Sequence, residues 1–175
     1  MPESDGAQRW QDQLYDLLRQ HNVTQFAYVP DAGHRTLIDR SLADPGAVSV
    51  ALTTEEEGVA LLAGTDLGGA RGVLLMQSSG TGNCINMLGM ITECRVPLLL
   101  LVTMRGTWAE FNPWQIPMAE AVAPVLSAIG CMIKKVDDPA QVGPTVSAAC
   151  QLAFNTNRAV AVLMDQRVVG VKEFK

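Results

Sequence analysis

Short apolar runs alternate with stretches of helical length along the whole of this 175-residue chain. The runs are rich in Val, Leu and Met and are bounded by Gly, Pro or polar residues, which is typical of buried strands. They cover residues 26–29, 48–52, 73–76, 97–103, 131–136 and 159–164. Helical stretches lie near residues 8–21, 34–43, 54–68, 82–94, 115–129 and 139–156. Since strands that are buried on both faces and joined by helices pair in parallel, the pattern predicts an α/β fold: a doubly wound, mainly parallel six-stranded sheet with helices on both faces.

The composition indicates one globular domain that binds neither nucleic acid nor membrane. The chain has the usual length of one domain, and 48% of its residues are hydrophobic against 18% charged. We therefore predict a single domain over residues 1–175, with a flexible segment at residues 1–7. The net charge of −5 argues against a nucleic-acid surface, which would need clustered Lys and Arg to neutralise phosphates. No apolar run approaches the ~20 residues that span a bilayer. The start of the chain lacks the features of a signal peptide, which predicts a cytoplasmic location.

The four cysteines are predicted to be buried free thiols. Cys84, Cys94, Cys131 and Cys150 lie far apart, inside apolar segments and without a Cys-x-x-Cys spacing. This pattern favours neither a disulfide nor a metal site.

The segment 104–117 is irregular and carries two of the chain's three tryptophans. Loops of this length in a compact domain are often functional. The alternative is that Trp108, Phe111 and Trp114 cover the end of the sheet or a neighbouring subunit.

Polar residues follow directly after each of the first four apolar runs. Segments 30–35, 53–58, 77–83 and 104–106 carry carboxylates, a His, two arginines and a Gly/Ser turn. In an open parallel sheet, ligands bind outside the carboxyl ends of the strands, so we expect the functional side chains at this edge. The turn at residues 80–82 matches neither a dinucleotide fingerprint nor a P-loop, and the sequence contains no His-Glu-x-x-His or Gly-x-Ser-x-Gly motif.

Segments 54–64 and 75–83 together resemble the pyrimidine-binding domain of thiamine-diphosphate-dependent decarboxylases. In that family a Glu at a strand end begins a helix and is followed eight and nine residues later by a small residue and Gly. This register selects Glu55, with Ala63 and Gly64 downstream. The family's next landmark is a strand closed by a turn such as Ser-x-Gly-x-Gly-Asn, and residues 78–83 are similar to it.

Two further features narrow the resemblance within that family. Val29-Pro30 stands beside Asp31, and Arg105-Gly106 follows the fourth run. With the Glu-rich turn, they make the chain most similar to the α subunit of sulfopyruvate decarboxylases and the equivalent half of phosphonopyruvate decarboxylases. The likeness covers roughly residues 22–165.

The resemblance implies that Glu55 activates the cofactor. A carboxyl group that is hydrogen-bonded to the aminopyrimidine favours its imino tautomer, and the imine then removes the proton from the thiazolium carbon that attacks a 2-oxo acid. For this role the Glu55 carboxyl must be withdrawn from water. The alternative is that Glu55, Glu56 and Glu57 only form an acidic first helical turn. The resemblance also places next to the cofactor four residues that would otherwise form a plain tight turn: Ser78, Ser79, Gly80 and Asn83.

Other residues receive implied roles, each with a structural alternative. Asp31 contacts the substrate or relays protons, or it caps the following helix. His34 is a catalytic acid or a polar surface residue. Arg35 and Arg105 bind the carboxylate or an anionic tail of the substrate, or each forms an ordinary salt bridge.

These 175 residues contain no motif that would bind the diphosphate end of the cofactor. Members of the family carry a second domain whose Gly-Asp-Gly and later Asn bind the diphosphate through Mg²⁺, and these 175 residues contain no Gly-Asp-Gly. The resemblance therefore implies a separately encoded β subunit that holds the Mg²⁺, in an α₂β₂ or larger assembly. No metal ligands are expected in this chain.

The implied function is that of the α subunit of a thiamine-diphosphate-dependent carboxy-lyase that is active only with its partner. The substrate would be 3-sulfopyruvate or 3-phosphonopyruvate, and the products the corresponding aldehyde and CO₂. The alternatives are the equivalent subunit of an enzyme that uses another 2-oxo acid or joins two carbonyl compounds, and a non-catalytic regulatory relative. Because the turn at residues 80–82 matches neither a dinucleotide fingerprint nor a P-loop, the sequence disfavours a stand-alone nucleotide-binding protein.

Overall fold

A computed structural model describes residues 9–171, so the flexible segment predicted for residues 1–7 lies outside the described residues. Six strands and seven helices alternate within this part of the chain. The strands are β1 (Val23–Tyr28), β2 (Val48–Ala51), β3 (Arg71–Gln77), β4 (Leu98–Thr103), β5 (Met132–Val136) and β6 (Ala159–Met164). The helices are α1 (Trp10–Gln20), α2 (Arg35–Ala43), α3 (Glu55–Leu67), α4 (Thr81–Cys94), α5 (Ile116–Ala128), α6 (Val142–Thr156) and the short α7 (Gln166–Val169).

The strands form one sheet in the order β2-β1-β3-β4-β6-β5. All five pairs of neighbouring strands are parallel, which confirms the predicted fold class. The prediction that the strands are buried on both faces holds for β4 and β6, where every residue is buried. It is wrong for the edge strands β2 and β5: no residue of β2 is buried, and in β5 only Val136 is buried.

Helices cover both faces of the sheet and define two hydrophobic cores. On one face, α1, α2 and α6 pack through residues such as Leu18 and Val146 against Leu75 and its neighbours. On the other face, α3, α4 and α5 pack against the opposite side of the same strands, where Leu74 lies. Successive residues of a strand point to opposite faces, so each central strand serves both cores.

The chain changes direction between β1 and β3. From β1 the connection runs through α2 to β2 on one side, whereas β3 pairs with the other side of β1. The loops after β1 and β3 therefore lead to helices on opposite faces, and a crevice opens between them at the carboxyl edge of the sheet. This switch point contains two of the polar segments that the sequence singles out.

The four cysteines are free thiols, as predicted, but they are not all buried. Cys84, Cys131 and Cys150 are buried, whereas Cys94 is exposed at the end of α4. Burial raises the pKa of Cys84 to about 12, that of Cys131 to about 11 and that of Cys150 to about 12. The prediction of burial is wrong for Cys94 because α4 ends in three exposed residues, 92–94, after its last core residue, Ile91.

The segment 104–117 is irregular only in its first part. Residues 104–112 have no helix or strand, a 3-10 turn covers Pro113–Gln115, and α5 begins at Ile116. Within residues 9–171 we find no helix long and apolar enough to span a membrane.

Candidate active site

Glu55 is the first residue of α3, and its side chain is turned into the protein. It is 8% exposed, and its Oε2 accepts a hydrogen bond of 2.8 Å from Nδ2 of Asn83 in α4. Gly80 makes room for the other carboxylate oxygen, because a Cβ at this position would overlap Glu55 Oε1. The turn after β3 and the start of α4 thus form a slot for one carboxylate.

The two acidic neighbours of Glu55 have different surroundings. Glu56 and Glu57 are exposed, and Glu57 Oε2 accepts a hydrogen bond of 2.8 Å from the backbone N–H of Thr53 just before the helix. Glu57 therefore caps the helix start, where an acidic side chain also interacts well with the helix dipole. Of the three carboxylates, only Glu55 lies in a slot built by another element.

Asp31 follows β1 and joins three segments of the sheet edge. Its Oδ2 accepts hydrogen bonds from the backbone N–H of Gly33 at 3.2 Å and from the hydroxyl of Thr103 at 2.6 Å. Its Oδ1 accepts a hydrogen bond of 3.2 Å from Nε2 of Gln77. Asp31 does act as a cap, but of the short 3-10 turn Ala32–His34 rather than of α2, and capping accounts for only one of these bonds.

A cavity of about 230 Å³ opens at the switch point beside Asp31. Gln77, Thr103 and Arg105 line it on the sheet side, and the segment 169–171 closes another side. Residues with carboxylate, amide, hydroxyl and guanidinium side chains thus line one small space, which suits a small polar ligand.

Ser78 and Ser79 form a 3-10 turn with Gly80 directly after β3. Ser78 is buried, and its Oγ accepts a hydrogen bond of 3.1 Å from the backbone N–H of Arg105. Ser79 is exposed and donates from its hydroxyl to Oε1 of Gln77 at 3.0 Å. The segment is therefore a turn whose side chains also hold other parts of the site. Ser78 binds the loop after β4, and Ser79 binds the side-chain amide of Gln77, which in turn contacts Asp31.

His34 is fully buried, so its interpretation as a surface residue is wrong. Its Nε2 lies 3.0 Å from the carbonyl oxygen of Leu101 and 3.3 Å from that of Met76, which requires a proton on Nε2. Burial lowers the pKa of His34 despite the opposing charge of Asp31. A neutral, solvent-inaccessible ring that faces backbone carbonyls has no geometric basis as a catalytic acid.

The two candidate arginines differ sharply in environment. Arg35 lies on α2 with its side chain 82% exposed, and it forms an ion pair of 3.6 Å with Asp39 one turn along the helix. Arg105 is buried, and its Nε and Nη2 each donate a hydrogen bond of 2.6 Å to Glu110. Arg35 therefore has the geometry of an ordinary surface ion pair, whereas Arg105 lines the cavity.

Glu110 and Gln166 belong to the same site but were not predicted. Arg105 holds the pKa of Glu110 down to about 2. Gln166, which is 1% exposed, donates to Glu110 Oε2 at 2.9 Å and accepts from the backbone N–H groups of Thr107 and Trp108 at 2.9 and 3.0 Å. Together these contacts fold the loop after β4 against the segment after β6. Gln166 could have been found by extending the sheet-edge argument to the sixth strand, whereas Glu110 stands in a loop without any pattern.

The aromatic residues of this loop are only partly covered. Trp108 is 55% and Phe111 49% exposed, and the guanidinium carbons of Arg167 and Arg105 lie 5.4 and 5.8 Å from their respective ring centroids. Trp114 is 85% exposed beside an apolar recess. The interpretation that these rings cover a neighbouring subunit stays a prediction.

A larger cleft of about 560 Å³ lies at the other end of the same edge, next to β5. Its charges belong largely to exposed side chains, and Arg167 is already paired with Asp137 and Asp165 at 3.1 and 3.0 Å. We therefore place the candidate site at the smaller cavity. Within the described part of the chain, no group of three or more His, Cys, Asp or Glu side chains is arranged to hold a metal ion.

No protein-family model matches the chain. The chain is 33% identical over 153 residues to the sulfopyruvate decarboxylase subunit alpha of Methanothermobacter thermautotrophicus, an alignment that covers 87% of this chain and 93% of the relative. The chain belongs to the family of sulfopyruvate decarboxylase α subunits. This confirms the family that the Glu55 register and the Ser78–Asn83 turn predicted.

Two longer relatives match this chain over only part of their own length. The sulfopyruvate decarboxylase of Methanosarcina acetivorans is 26% identical over 93% of this chain and 42% of its own length. The phosphonopyruvate decarboxylase of Streptomyces viridochromogenes is 31% identical over 75% of this chain and 34% of its own length.

Solved structures share the fold at low sequence identity. The 2-oxoglutarate:ferredoxin oxidoreductase of Magnetococcus marinus has a TM-score of 0.76 at 17% identity, covering 93% of this chain and 29% of that protein. The benzoylformate decarboxylase of Polynucleobacter necessarius has a TM-score of 0.75 at 16% identity, covering 97% of this chain and 32% of that protein. The chain thus spans about a third of these solved chains, and the likeness concerns the fold.

Proposed function

We propose that this chain is the α subunit of a thiamine-diphosphate-dependent 2-oxo acid decarboxylase that acts in the cytoplasm on 3-sulfopyruvate or 3-phosphonopyruvate. The observation that carries the proposal is the slot around Glu55, where Gly80 leaves space for the carboxylate and Asn83 binds it. Relatives named for sulfopyruvate and phosphonopyruvate support the choice of substrate. The products are CO₂ and the aldehyde that keeps the anionic tail.

The residues of the slot fit the aminopyrimidine end of the cofactor. Glu55 is a carboxyl group withdrawn from water, and Gly80 shows that the space beside its Oε1 must stay free of side-chain atoms. Such a carboxyl group can share a proton with a ring nitrogen, and Asn83 fixes its other oxygen. Bound thiamine diphosphate supplies the carbon nucleophile and the electron sink for decarboxylation.

The cavity beside Asp31 is suited to the 2-oxo acid. Arg105 contributes positive charge, while Asp31, Gln77 and Thr103 contribute polar groups on the side of the sheet. Two of the five N–H donors of Arg105 bind Glu110, which offsets its charge, so the remaining donors would orient a substrate carboxylate. Asp31 would hold or move a proton at the reacting carbonyl group, and the buried loop contacts of Glu110 would exclude water.

A second polypeptide would complete the enzyme. The relative from Methanothermobacter thermautotrophicus is named as a subunit, and the single-chain relative from Methanosarcina acetivorans extends well beyond the region matched by this chain. We propose a β subunit that binds the diphosphate and Mg²⁺, in an α₂β₂ or larger assembly. The Gly-Asp-Gly that this task requires in the family is absent from the sequence.

The test is an assay of the chain co-expressed with the proposed β subunit. The complex, loaded with thiamine diphosphate and Mg²⁺, should release CO₂ from 3-sulfopyruvate or 3-phosphonopyruvate faster than from pyruvate, benzoylformate or 2-oxoglutarate. Preference for one of the latter acids would refute the substrate, and CO₂ release from none of the panel would refute decarboxylation.

Matched variants test the role of Glu55. Glu55→Gln should reduce both turnover and the exchange of the thiazolium proton for deuterium by at least about 100-fold, since general acid–base groups contribute factors of this order. Glu56→Gln removes an equal charge from the exposed neighbouring position and should leave both rates within about twofold. Equal rates in the two variants would remove Glu55 from the mechanism.

A further inference from the structure

The Asp31 carboxylate is held from three directions. Described residues donate hydrogen bonds to it from the backbone of the following turn, from the last residue of β3 and from the last residue of β4. An ionised carboxylate has only acceptor atoms, so all three contacts suit its charged form. The first is a local cap, but the other two come from residues 46 and 72 positions away in sequence.

Thr103 contacts the Asp31 loop with both branches of its side chain. The hydroxyl lies 2.6 Å from Asp31 Oδ2, and the residue is 3% exposed. The methyl group Cγ2 packs against Gly33, where an added Cβ would lie only 2.6 Å from it. The hydroxyl therefore has its direction set by close packing of its own side chain.

Gln77 is held in a similar way. It pairs with Thr103 in the register of β3 and β4, so the two side chains leave the same edge of the sheet side by side. Its amide donates to Asp31 Oδ1 and accepts from the Ser79 hydroxyl at 3.0 Å, which fixes which end of the amide faces Asp31. The two oxygens of Asp31 thus have separate donors from neighbouring strands.

We infer that Thr103 and Gln77 are positioning residues, which hold the Asp31 carboxylate in one orientation toward the cavity that it shares with Arg105. The inference rests on the proposed function, since it assigns Asp31 a task in handling the 2-oxo acid. Carboxylate side chains have a broad terminal torsion, so without such donors the group could rotate away from the reacting atoms. Thr103 and Gln77 act only through Asp31 and need no contact with substrate.

The test compares variants of the full chain in complex with its partner subunit. Thr103→Val keeps the shape of the side chain and removes its hydroxyl, whereas Thr103→Ser keeps the hydroxyl. We expect Thr103→Val to lower kcat by about tenfold or more, since hydrogen bonds to charged groups are worth at least that factor. Thr103→Ser should recover part of the loss, since it restores the hydroxyl but lacks the methyl group that packs against Gly33. Thr92→Val is the matched control. Thr92 lies at the end of α4 and does not line the cavity, and its hydroxyl also donates to a residue distant in sequence, at the carbonyl oxygen of Ile129.

A double-mutant cycle separates positioning from simple stabilisation. In an Asp31→Asn background, Thr103→Val should cause no further loss of kcat, because its effect passes through the carboxylate. The deuterium exchange of the thiazolium proton, which depends on Glu55, should stay at the wild-type rate in Thr103→Val. A crystal structure of the Thr103→Val complex should show the Asp31 carboxylate turned from its wild-type orientation, because only Gln77 and the Gly33 N–H still hold it.

Three results would overturn the inference: a wild-type kcat for Thr103→Val, an equal loss in both backgrounds, or an unmoved Asp31 in the crystal structure. If the wild-type complex decarboxylates none of the 2-oxo acids, the proposed function fails by itself. The orientation of Asp31 in the variant crystal structure then decides the inference without any measurement of turnover.

Discussion

Arg105 and Glu110 form a two-point ion pair in which both hydrogen bonds are 2.6 Å long. The side chain of Arg105 is 9% exposed and that of Glu110 is 2% exposed, so water screens the pair only weakly. Glu110 also receives a hydrogen bond from Gln166. The pair thus connects the cavity wall to the loop after β4 and to the segment after β6.

Replacing Glu110 by Gln should destabilise the chain strongly. The substitution leaves Arg105 as a buried charge without its partner, which costs roughly 3–5 kcal/mol in comparable sites. Chemical denaturation of the variant and the wild type measures this difference. Arg35→Ala is the control, since it breaks the exposed pair with Asp39 and should change the free energy of unfolding by at most about 0.5 kcal/mol. Similar losses in the two variants would mean that burial of the Arg105 pair is unimportant.

The same pair predicts a dependence of stability on pH. The pKa of Glu110 is lowered from 4.5 to about 2, first by its hydrogen bonds with Arg105. A carboxyl group whose pKa is lower in the folded state stabilises the fold fully above its unfolded pKa, and the contribution is lost as the pH falls through the folded value. The free energy of unfolding should therefore decline between pH 4.5 and about 2, and Glu110→Gln should flatten this part of the curve. An unchanged slope in the variant would contradict the assignment.

Gly80→Ala should strongly reduce turnover while leaving the fold intact. The new Cβ would overlap the Glu55 carboxylate, which must then leave its slot and its contact with Asn83. Turnover of the reconstituted complex should fall at least about 100-fold, as expected for loss of a general acid–base group. Gly89→Ala is the control: it lies in α4, which begins directly after Gly80, the nearest atom to its new Cβ is 3.9 Å away, and it should keep full activity. A fully active Gly80→Ala complex would show that the slot is not needed.

The sequence predicted the sheet and the two polar segments at its switch point because these depend on periodicity and on the order of strands. The Glu55 register also separated one buried carboxylate from its exposed neighbours, Glu56 and Glu57. The burial of His34 could not be predicted, since a His in the loop that follows a strand is equally compatible with an exposed turn. Glu110 could not be predicted as the partner of Arg105, because the two residues are joined by an irregular loop whose path no sequence pattern indicates.

His34 should make the chain less stable as the pH falls below about 6.5, the ordinary pKa of histidine. Burial lowers its folded pKa, whereas the nearby charge of Asp31 and the carbonyls of Met76 and Leu101 oppose the shift. Below pH 6.5 the unfolded chain therefore binds a proton that the folded chain excludes, and the free energy of unfolding decreases. Denaturation curves between pH 7.5 and 5 should show this slope in the wild type but a smaller one in His34→Gln. A slope that survives the substitution unchanged would assign it to another group.

The thiols of the folded chain should differ in reactivity according to their burial. Cys94 is exposed, whereas Cys84, Cys131 and Cys150 are buried and have pKa values of about 12, 11 and 12. Since the thiolate is the reactive form, a disulfide reagent such as dithionitrobenzoate should modify one thiol per folded chain quickly and the other three only after denaturation. Cys94→Ser should remove the fast phase and leave the total after denaturation lower by one. Fast modification of Cys94→Ser would show that one of the buried thiols becomes accessible through local opening of the fold, which hydrogen exchange in α4 and α6 could then locate.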